Sequence, residues 1–504
     1  MAKAQGVHDQ PSDHQYLLAL DIGSTTVRAV LFDTEGLPIA EAYREPPVHY
    51  PGANRAEIDV TLRWEAVVEV IREVLARSGI EPGAIAAIGL TGLLHALTPI
   101  DEQGRPLARA MLWMDQRCQP QVEWMVREHA DILEREVGST RASTTWSAPK
   151  LRWIYENQPE LLERTYKFMP TKDYIRFRLT GTIETDPSEA GGTMLFNRET
   201  GDWSRPMLEL VGVPVEKLPV IKPSSTVVGG VTREAALATG LREGTPVVIG
   251  GGDTKCTRLG ANSEGNGRAC LYIGTAAWTA VPSRRRHAFG ATATTGAALK
   301  WITSVVGLND PSSPGEGYAQ LLAEAERVPP GAGGLLFLPH LMGERGPQPN
   351  AKATGTFFGL TLGHGRAELA RAVLEGCAFH LRSILENISD APIEEMTLVG
   401  GGAKSALWRQ IIADVTGIRL LVPRVLEAGA LGAAILAGVG VGIYPSEQEA
   451  ADRVVKIVER REPEAERHAF YNQIYPYYLD LEGRVAPLYG EIPLKMREEE
   501  APCA

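Results

Sequence analysis

The sequence predicts an α/β protein built from two related halves. Short apolar, β-branched runs of strand character alternate with longer stretches of helical periodicity along the whole chain. A strand, a polar turn containing Gly and Thr, and a second strand occur at Leu17–Phe32 and recur at Ala269–Pro282. A repeat at that range points to two copies of one plan. At 504 residues the chain also exceeds one ordinary core, and domains of roughly 100–200 residues would divide it into two to four.

In chain order, Leu17–Leu20 is an apolar run ending in Asp21, and Val27–Phe32 resumes the strand after Gly23, Ser24, Thr25 and Thr26. Thr61–Ser78 has helical spacing, with Trp64, Val67, Val68, Ile71, Val74 and Leu75 on one face. Ile85–Leu90 is a buried strand leading into Leu93, Leu94 and His95. Helices are expected at Pro149–Asn157, Leu161–Tyr166, Thr171–Leu179 and Pro206–Leu210, a loop over Thr182–Thr193, and a strand then a helix within Val227–Gly240.

Pro246–Ile249 reads as a buried strand that runs into Gly250, Gly251, Gly252 and Asp253, so that side chains vanish just before an acid. Taken alone, this stretch reads as a tight turn with Asp253 capping a helix. The second half supplies strands at Ala269–Ile273 and Met396–Val399, with helices at Tyr318–Glu326, Arg366–Leu385 and Leu407–Thr416. The tail after about Gly490 is expected to fray.

Composition excludes several classes. Hydrophobic residues at 44% and charged ones at 22% are those of a globular protein, and a net charge of -11 provides no basic field for nucleic acid or an anionic membrane. Five scattered cysteines without a CxxC pair argue against a disulfide framework or a structural zinc site and for a reducing compartment, the cytoplasm. Met1–Gln15 lacks the apolar core of a signal peptide. The longest uncharged run, Ala428–Ser446, is broken by five glycines and is expected to be a helix of small residues packed closely against something, not a membrane span.

No P-loop, GxGxxG, HExxH or GxSxG motif is present; Gly402, Ala403, Lys404 and Ser405 lack the glycine a P-loop has before its lysine. A nucleotide can instead be held by strand-to-strand turns that present backbone N–H groups and hydroxyls to phosphates, beside carboxylates for Mg²⁺. The turns Gly23–Thr26 and Gly274–Ala276 suit that role, with Asp21 as a Mg²⁺-associated acid and Arg28 to offset phosphate charge. Asp253 is then left to meet an acceptor hydroxyl, because phosphoryl transfer needs positioned groups and one carboxylate to take a proton.

The stretches DIGSTTVRAV (Asp21–Val30), GGGDT (Gly250–Thr254), YIGTA (Tyr272–Ala276) and GGGAKS (Gly400–Ser405) resemble the FGGY family of carbohydrate kinases. Two longer ones, SAPKLRWIYEN (Ser147–Asn157) and GTFFGLTLGHGRAELARAVLE (Gly355–Glu375), resemble its two signatures, and the likeness runs from Tyr16 to about Gly442. It is strongest to members that phosphorylate xylulose, on MPTKDYIRFRLTG, DPSEAGGTM, FLPHLMGERGP and ALWRQIIADVTG.

The resemblance implies two RNase-H-like domains of the actin/hexokinase type with an interdomain cleft: residues 16–256 binding sugar, residues 257–489 binding nucleotide, and 490–504 as a tail. It implies Asp253 as catalytic base and Asp21 as the metal-associated acid, both close to Mg²⁺. It implies ATP contacts from Gly23, Ser24, Thr25, Thr26, Arg28, Gly274, Thr275, Gly401, Gly402 and Ser405, and sugar contacts from Leu94, His95, Asp115, Arg117 and Asp253.

The implied reaction is ATP-dependent conversion of a pentulose such as D-xylulose to D-xylulose 5-phosphate. Leu93 and Leu94 stand where the xylulose-phosphorylating members have Gln and Met, Met114 where they have Asn, and the tryptophan usual in the segment 54–59 is missing. Sites that bind polyols through hydrogen bonds discriminate through such groups, which leaves ribulose, gluconate or erythritol open as acceptor. A different class, an ATP-driven switch of the actin or chaperone kind, shares the fold. Partners are a sugar and ATP, without nucleic acid or membrane, and assembly as a homodimer stays open.

Overall fold

The computed structural model describes residues 15–489 except 53, 139–141, 265–266, 283–288, 309–314, 347–348 and 351. The tail after Gly490 and nearly all of Met1–Gln15 therefore lie outside the described residues. The chain divides into two compact units: residues 1–260 with Gly429–Val454, and Ala261–Ala428 with residues 455–504. The Gly429–Val454 segment thus belongs to the first unit, whereas the sequence alone places it in the second half.

In the first unit a seven-stranded sheet runs Val227–Gly230, Pro246–Val248, Ile85–Gly92, Tyr16–Ile22, Val27–Asp33, Pro38–Arg44, with the short Gly251–Gly252 strand also on Ile85–Gly92. Tyr16–Ile22, Val27–Asp33 and Pro38–Arg44 form an antiparallel meander. Ile85–Gly92 and Pro246–Val248 add in parallel, and Val227–Gly230 is an antiparallel edge.

The second unit has a six-stranded sheet in the order Phe289–Ala291, Ala277–Ala280, Ala269–Ile273, Glu395–Val399, Arg419–Pro423, Ile457–Arg461. It repeats the same sequence of antiparallel and parallel pairings. The repeat legible at Leu17–Phe32 and Ala269–Pro282 is therefore one RNase-H-like plan used twice. Parallel strands buried on both faces account for their continuous apolar runs.

Helices cover the sheets where periodicity places them. Val60–Ser78 begins at Asp59, whose Oδ1 accepts the Thr61 N–H at 2.9 Å, and ends at Gly79 with φ 65°. It buries Trp64, Val67, Val70, Ile71 and Val74 against the first sheet. Gln119–Val213 carries further helices around a separate core of Met125, Leu133, Leu151, Met207 and Val211. The loop expected over Thr182–Thr193 is instead a short strand, Glu184–Thr185, and a helical turn, Pro187–Gly191, capped by Asp186.

The small-residue run forms the helix Ala428–Gly440, which lies against the first sheet. A Cβ on Gly89 would overlap the carbonyl of Ala433, and one on Gly432 would overlap that of Cys256. No helix among the described residues is long and apolar enough to cross a membrane. Cys118, Cys256, Cys270 and Cys377 are buried free thiols.

Candidate functional site

In the first unit three loops converge at the carboxyl ends of neighbouring strands, where open α/β sheets bind ligands. Asp21 pairs in register with Thr91 of the adjacent parallel strand. On the other side of that strand, Gly251 pairs with Thr91 and Gly252 with Gly92. Asp21 and the glycines leading into Asp253 are thereby held around one residue, Thr91, which is fully buried. Gly250 has φ 82°, and a Cβ there would overlap the carbonyl of Leu90, so backbone approach requires glycine at that position.

Asp253 opens the helix Asp253–Gly260, and its Oδ1 accepts the Thr254 N–H at 2.6 Å and the Thr254 hydroxyl at 3.2 Å. One oxygen of this carboxylate thus engages its own helix turn. Behind it lies a fully buried charged network. Lys172 Nζ is 2.7 Å from Asp173 Oδ1, 3.2 Å from Asp186 Oδ1 and 3.2 Å from the Ile249 carbonyl.

The Ser188 hydroxyl donates to Asp186 and accepts the Gly252 N–H at 2.9 Å. Burial works against the Lys172 ammonium, but Asp173, Asp186 and Glu189 hold it above its usual range. Burial pushes the neighbouring Glu189 carboxyl well above the usual carboxylate range, with Asp173, Asp186 and Asp253 adding to the effect against Lys172.

The Gly23–Thr26 turn is closed by the Gly23 N–H to the Thr26 carbonyl at 2.8 Å. Buried Arg63, which burial lowers to about 10, donates to the Ser24 carbonyl at 2.6 Å and the Pro46 carbonyl at 3.0 Å. Trp113 Nε1 donates to Ser24 Oγ at 3.0 Å. Ser24 is thus held from two sides while Thr25 is exposed. Arg28, paired in register with Asp21, lies 3.8 Å from Glu41 and over the Tyr43 ring.

Leu94 packs so close to Gly252 that a Cβ there would overlap its Cδ2. His95 has φ 72°, a left-handed conformation rare outside glycine, and its Nδ1 faces the Gly192 carbonyl while its ring meets Trp146 edge-on at 4.9 Å. His95 and Arg117 line a cavity of about 100 Å³ together with Glu57, Arg109 and Lys150. Asp253 and Leu94 are not among its lining residues.

Asp115 is fully buried and takes the Arg117 guanidinium at 2.9 and 2.7 Å and the Ala56 N–H at 2.8 Å. It positions Arg117, whose Nη2 also reaches Glu57 at 2.6 Å. Burial lowers Lys150 to about 7, and its ammonium donates to the carbonyls of His95 and Thr145 at 3.2 and 3.0 Å.

In the second unit the same strand ends carry the other two glycine turns. Gly274 N–H donates to the Ala276 carbonyl at 2.9 Å, and the Gly296–Val305 helix starts against it, with Gly296 N–H on the Gly274 carbonyl at 3.1 Å and Ala297 N–H on that of Thr275 at 2.9 Å. Tyr272 pairs with Val399, so the loop after Val399 lies beside Gly274. A Cβ on Gly402 would overlap the Ile273 side chain, whereas Gly401 faces open space. Ser405 caps the Ala406–Thr416 helix by accepting the Trp408 N–H at 3.2 Å.

Lys172, Asp173, Asp186, Ser188, Glu189, Arg63 and Lys150 are the members of this site that motif reasoning misses. Lys172, Asp173 and Arg176 are all buried on the helix Thr171–Thr180, and nothing in the local pattern sets them apart from exposed charges.

Residues 16–260 match the N-terminal domain, and residues 269–441 the C-terminal domain, of the FGGY family of carbohydrate kinases. The chain belongs to that family. It is similar to the xylulose kinase of Bacillus subtilis (strain 168), at 29% identity over 93% of this chain and 96% of that one. It is similar to the glycerol kinase of Thermococcus gammatolerans, at 31% identity over 91% and 96%. Among solved structures it is similar to the gluconate kinase from Lactobacillus acidophilus, with TM-score 0.84, 26% identity, and 95% and 100% of the two chains covered. The chain is therefore a sugar kinase, and the alternative of an ATP-driven switch is set aside.

Proposed function

We propose that the chain transfers the γ-phosphoryl group of ATP to a hydroxyl of a pentulose such as D-xylulose, giving D-xylulose 5-phosphate. The observation that carries the reading is the register that joins Asp21 and Gly251–Gly252 to one strand through Thr91. Asp253 accepts the proton of the acceptor hydroxyl, and the network from Gly252 to Ser188, Asp186 and Lys172 fixes where that carboxylate stands. The exposed turns at Thr25, Thr275 and Gly401 suit phosphates, since each leaves backbone N–H groups beside small or hydroxyl side chains. Asp21, with Asp253, is a suitable oxygen donor for Mg²⁺, which when bound offsets phosphate charge. The protein works in the cytoplasm on these small molecules, without nucleic acid or membrane.

A second acceptor is favoured by one feature. Arg109 and Lys150 line the cavity that holds His95, beside Arg117 in its pairs with Asp115 and Glu57, and cations there suit the carboxylate of a sugar acid. Coupled ADP release with D-xylulose, D-ribulose, erythritol, glycerol and D-gluconate decides between them. The pentulose reading expects kcat/KM for D-xylulose to exceed that for gluconate by at least about 100-fold, as sites that hydrogen-bond a substrate hydroxyl discriminate. A reversed ratio assigns the sugar acid.

A further inference from the structure

The second unit contains a cluster of two histidines and two glutamates that phosphoryl transfer does not use. His340 follows the strand Leu336–Leu338, His380 lies in the helix Arg366–Ile388, and Glu482 is near the end of the helix Ala465–Val485. Both rings are 1% exposed and meet edge-on with centroids 5.1 Å apart. One atom from each of His340, His380 and Glu482 can be chosen so that all lie within 4.8 Å of one another.

Glu344 stands behind the rings. Its Oε1 accepts the N–H groups of Arg345 and Gly346 at 2.8 and 2.7 Å, and its Oε2 is 2.7 Å from His340 Nδ1 and 2.9 Å from His380 Nε2. The other nitrogen of His340, Nε2, is 3.2 Å from Glu482 Oε1.

These contacts occupy both nitrogens of His340 and Nε2 of His380, whereas the buried Nδ1 of His380 and the buried hydroxyl of Tyr478 have no hydrogen-bond partner. Buried polar atoms are nearly always satisfied, and a group of them without directed partners calls for an ion or water.

We propose that His340, His380 and Glu482 bind one divalent first-row transition metal ion, with Zn²⁺ the best fit to a set of nitrogen and oxygen donors. His340 ligates through Nε2 and His380 through the ring nitrogen that Glu344 does not engage. Glu344 then accepts from the remaining nitrogen of each ring, the usual outer partner that fixes a ligating histidine. Ligands of a tetrahedral zinc with bonds near 2.0 Å sit about 3.4 Å apart, so the cluster contracts on binding. Glu482, 25% exposed, supplies the movement and the route from solvent. Mg²⁺ prefers all-oxygen ligands, so this ion is distinct from the one that accompanies ATP. The ion ties the C-terminal helix to the core helix and to the loop after Leu338.

The test uses the full chain stripped with a chelator and reloaded with Zn²⁺ or Co²⁺ without nucleotide, then freed of loose metal by gel filtration. Elemental analysis should find one equivalent retained per chain, with a raised Tm and, for Co²⁺, visible absorption of a low-coordinate site. His380→Ala and Glu482→Gln should each weaken retention by at least about tenfold, while Asp21→Asn retains the metal. Should His380→Ala fail to fold, Glu482→Gln, at a half-buried helix end, answers alone. No retained equivalent, or retention unchanged in Glu482→Gln, overturns the proposal and leaves the cluster as histidine–carboxylate ion pairs.

Discussion

Ser188 Oγ accepts the backbone N–H of Gly252 at 2.9 Å and donates its own O–H to Asp186, which pairs with Lys172 at 3.2 Å. The residue in front of Asp253 is thus hydrogen-bonded to a buried charged network. A shift of even a fraction of an ångström at Gly252 is carried to the carboxylate that follows it.

Ser188→Ala removes that acceptor and leaves a buried amide without a partner. Stability should fall by about 1–2 kcal/mol, and kcat by roughly tenfold with the acceptor KM nearly unchanged. Urea unfolding and steady-state kinetics on the same preparation check both. Lost stability with an unchanged kcat would reduce Ser188 to a structural tether.

Asp253→Asn and Asp21→Asn should separate the two acids. The first keeps the shape but cannot take a proton, so kcat should drop about 10²–10⁴-fold with weaker effects on sugar binding. The second should raise the Mg²⁺ concentration needed for half-maximal rate. Titrating rate against Mg²⁺ for each variant distinguishes them; a near wild-type kcat in Asp253→Asn would make that residue only the cap of its helix.

How far the sequence carries can be judged at particular residues. The strand-turn-strand repeat and the glycines before Asp253 were legible because each is a pattern of neighbouring residues, although the atoms that demand glycine at 250 and 402, the Leu90 carbonyl and the Ile273 side chain, lie far off along the chain. The close packing of Ala428–Gly440 was legible from its glycines, but its partner was not, since Gly89 is over 300 residues away along the chain and no local pattern links them. The Lys172 network was illegible for the same reason. Lys172, Asp186 and Ile249 meet only through tertiary structure, and a buried lysine looks like a surface lysine until its neighbours are known.

Gly402→Ala and Gly89→Ala should fail in different ways. Alanine at 402 presses on Ile273 beside the Gly274 turn, so the KM for ATP should rise while acceptor KM holds. Alanine at 89 presses on the backbone of Ala433 and should destabilise by about 1–3 kcal/mol, as overpacking does. Kinetics for the first and thermal unfolding for the second test the pair; an unchanged Tm in Gly89→Ala would mean that the helix can move away freely.

Lys150 gives the clearest pH signature. Burial lowers it to about 7, against about 10.4 for a lysine in the unfolded chain. Below pH 7 both states hold the proton, and the folded state bears the full desolvation penalty. Between pH 7 and 10.4 the unfolded state binds a proton that the folded state has released, so stability rises with pH by up to about 1.4 kcal/mol per unit. Lys150→Met removes that slope, so the wild-type minus variant stability difference should grow by about 2 kcal/mol from pH 7 to 9, as urea midpoints would read. A constant difference would show that Lys150 stays charged. The same titration bears on the acceptor: if a sugar acid uses this ammonium, its KM should climb as pH passes 7, whereas the KM of a neutral pentulose should not.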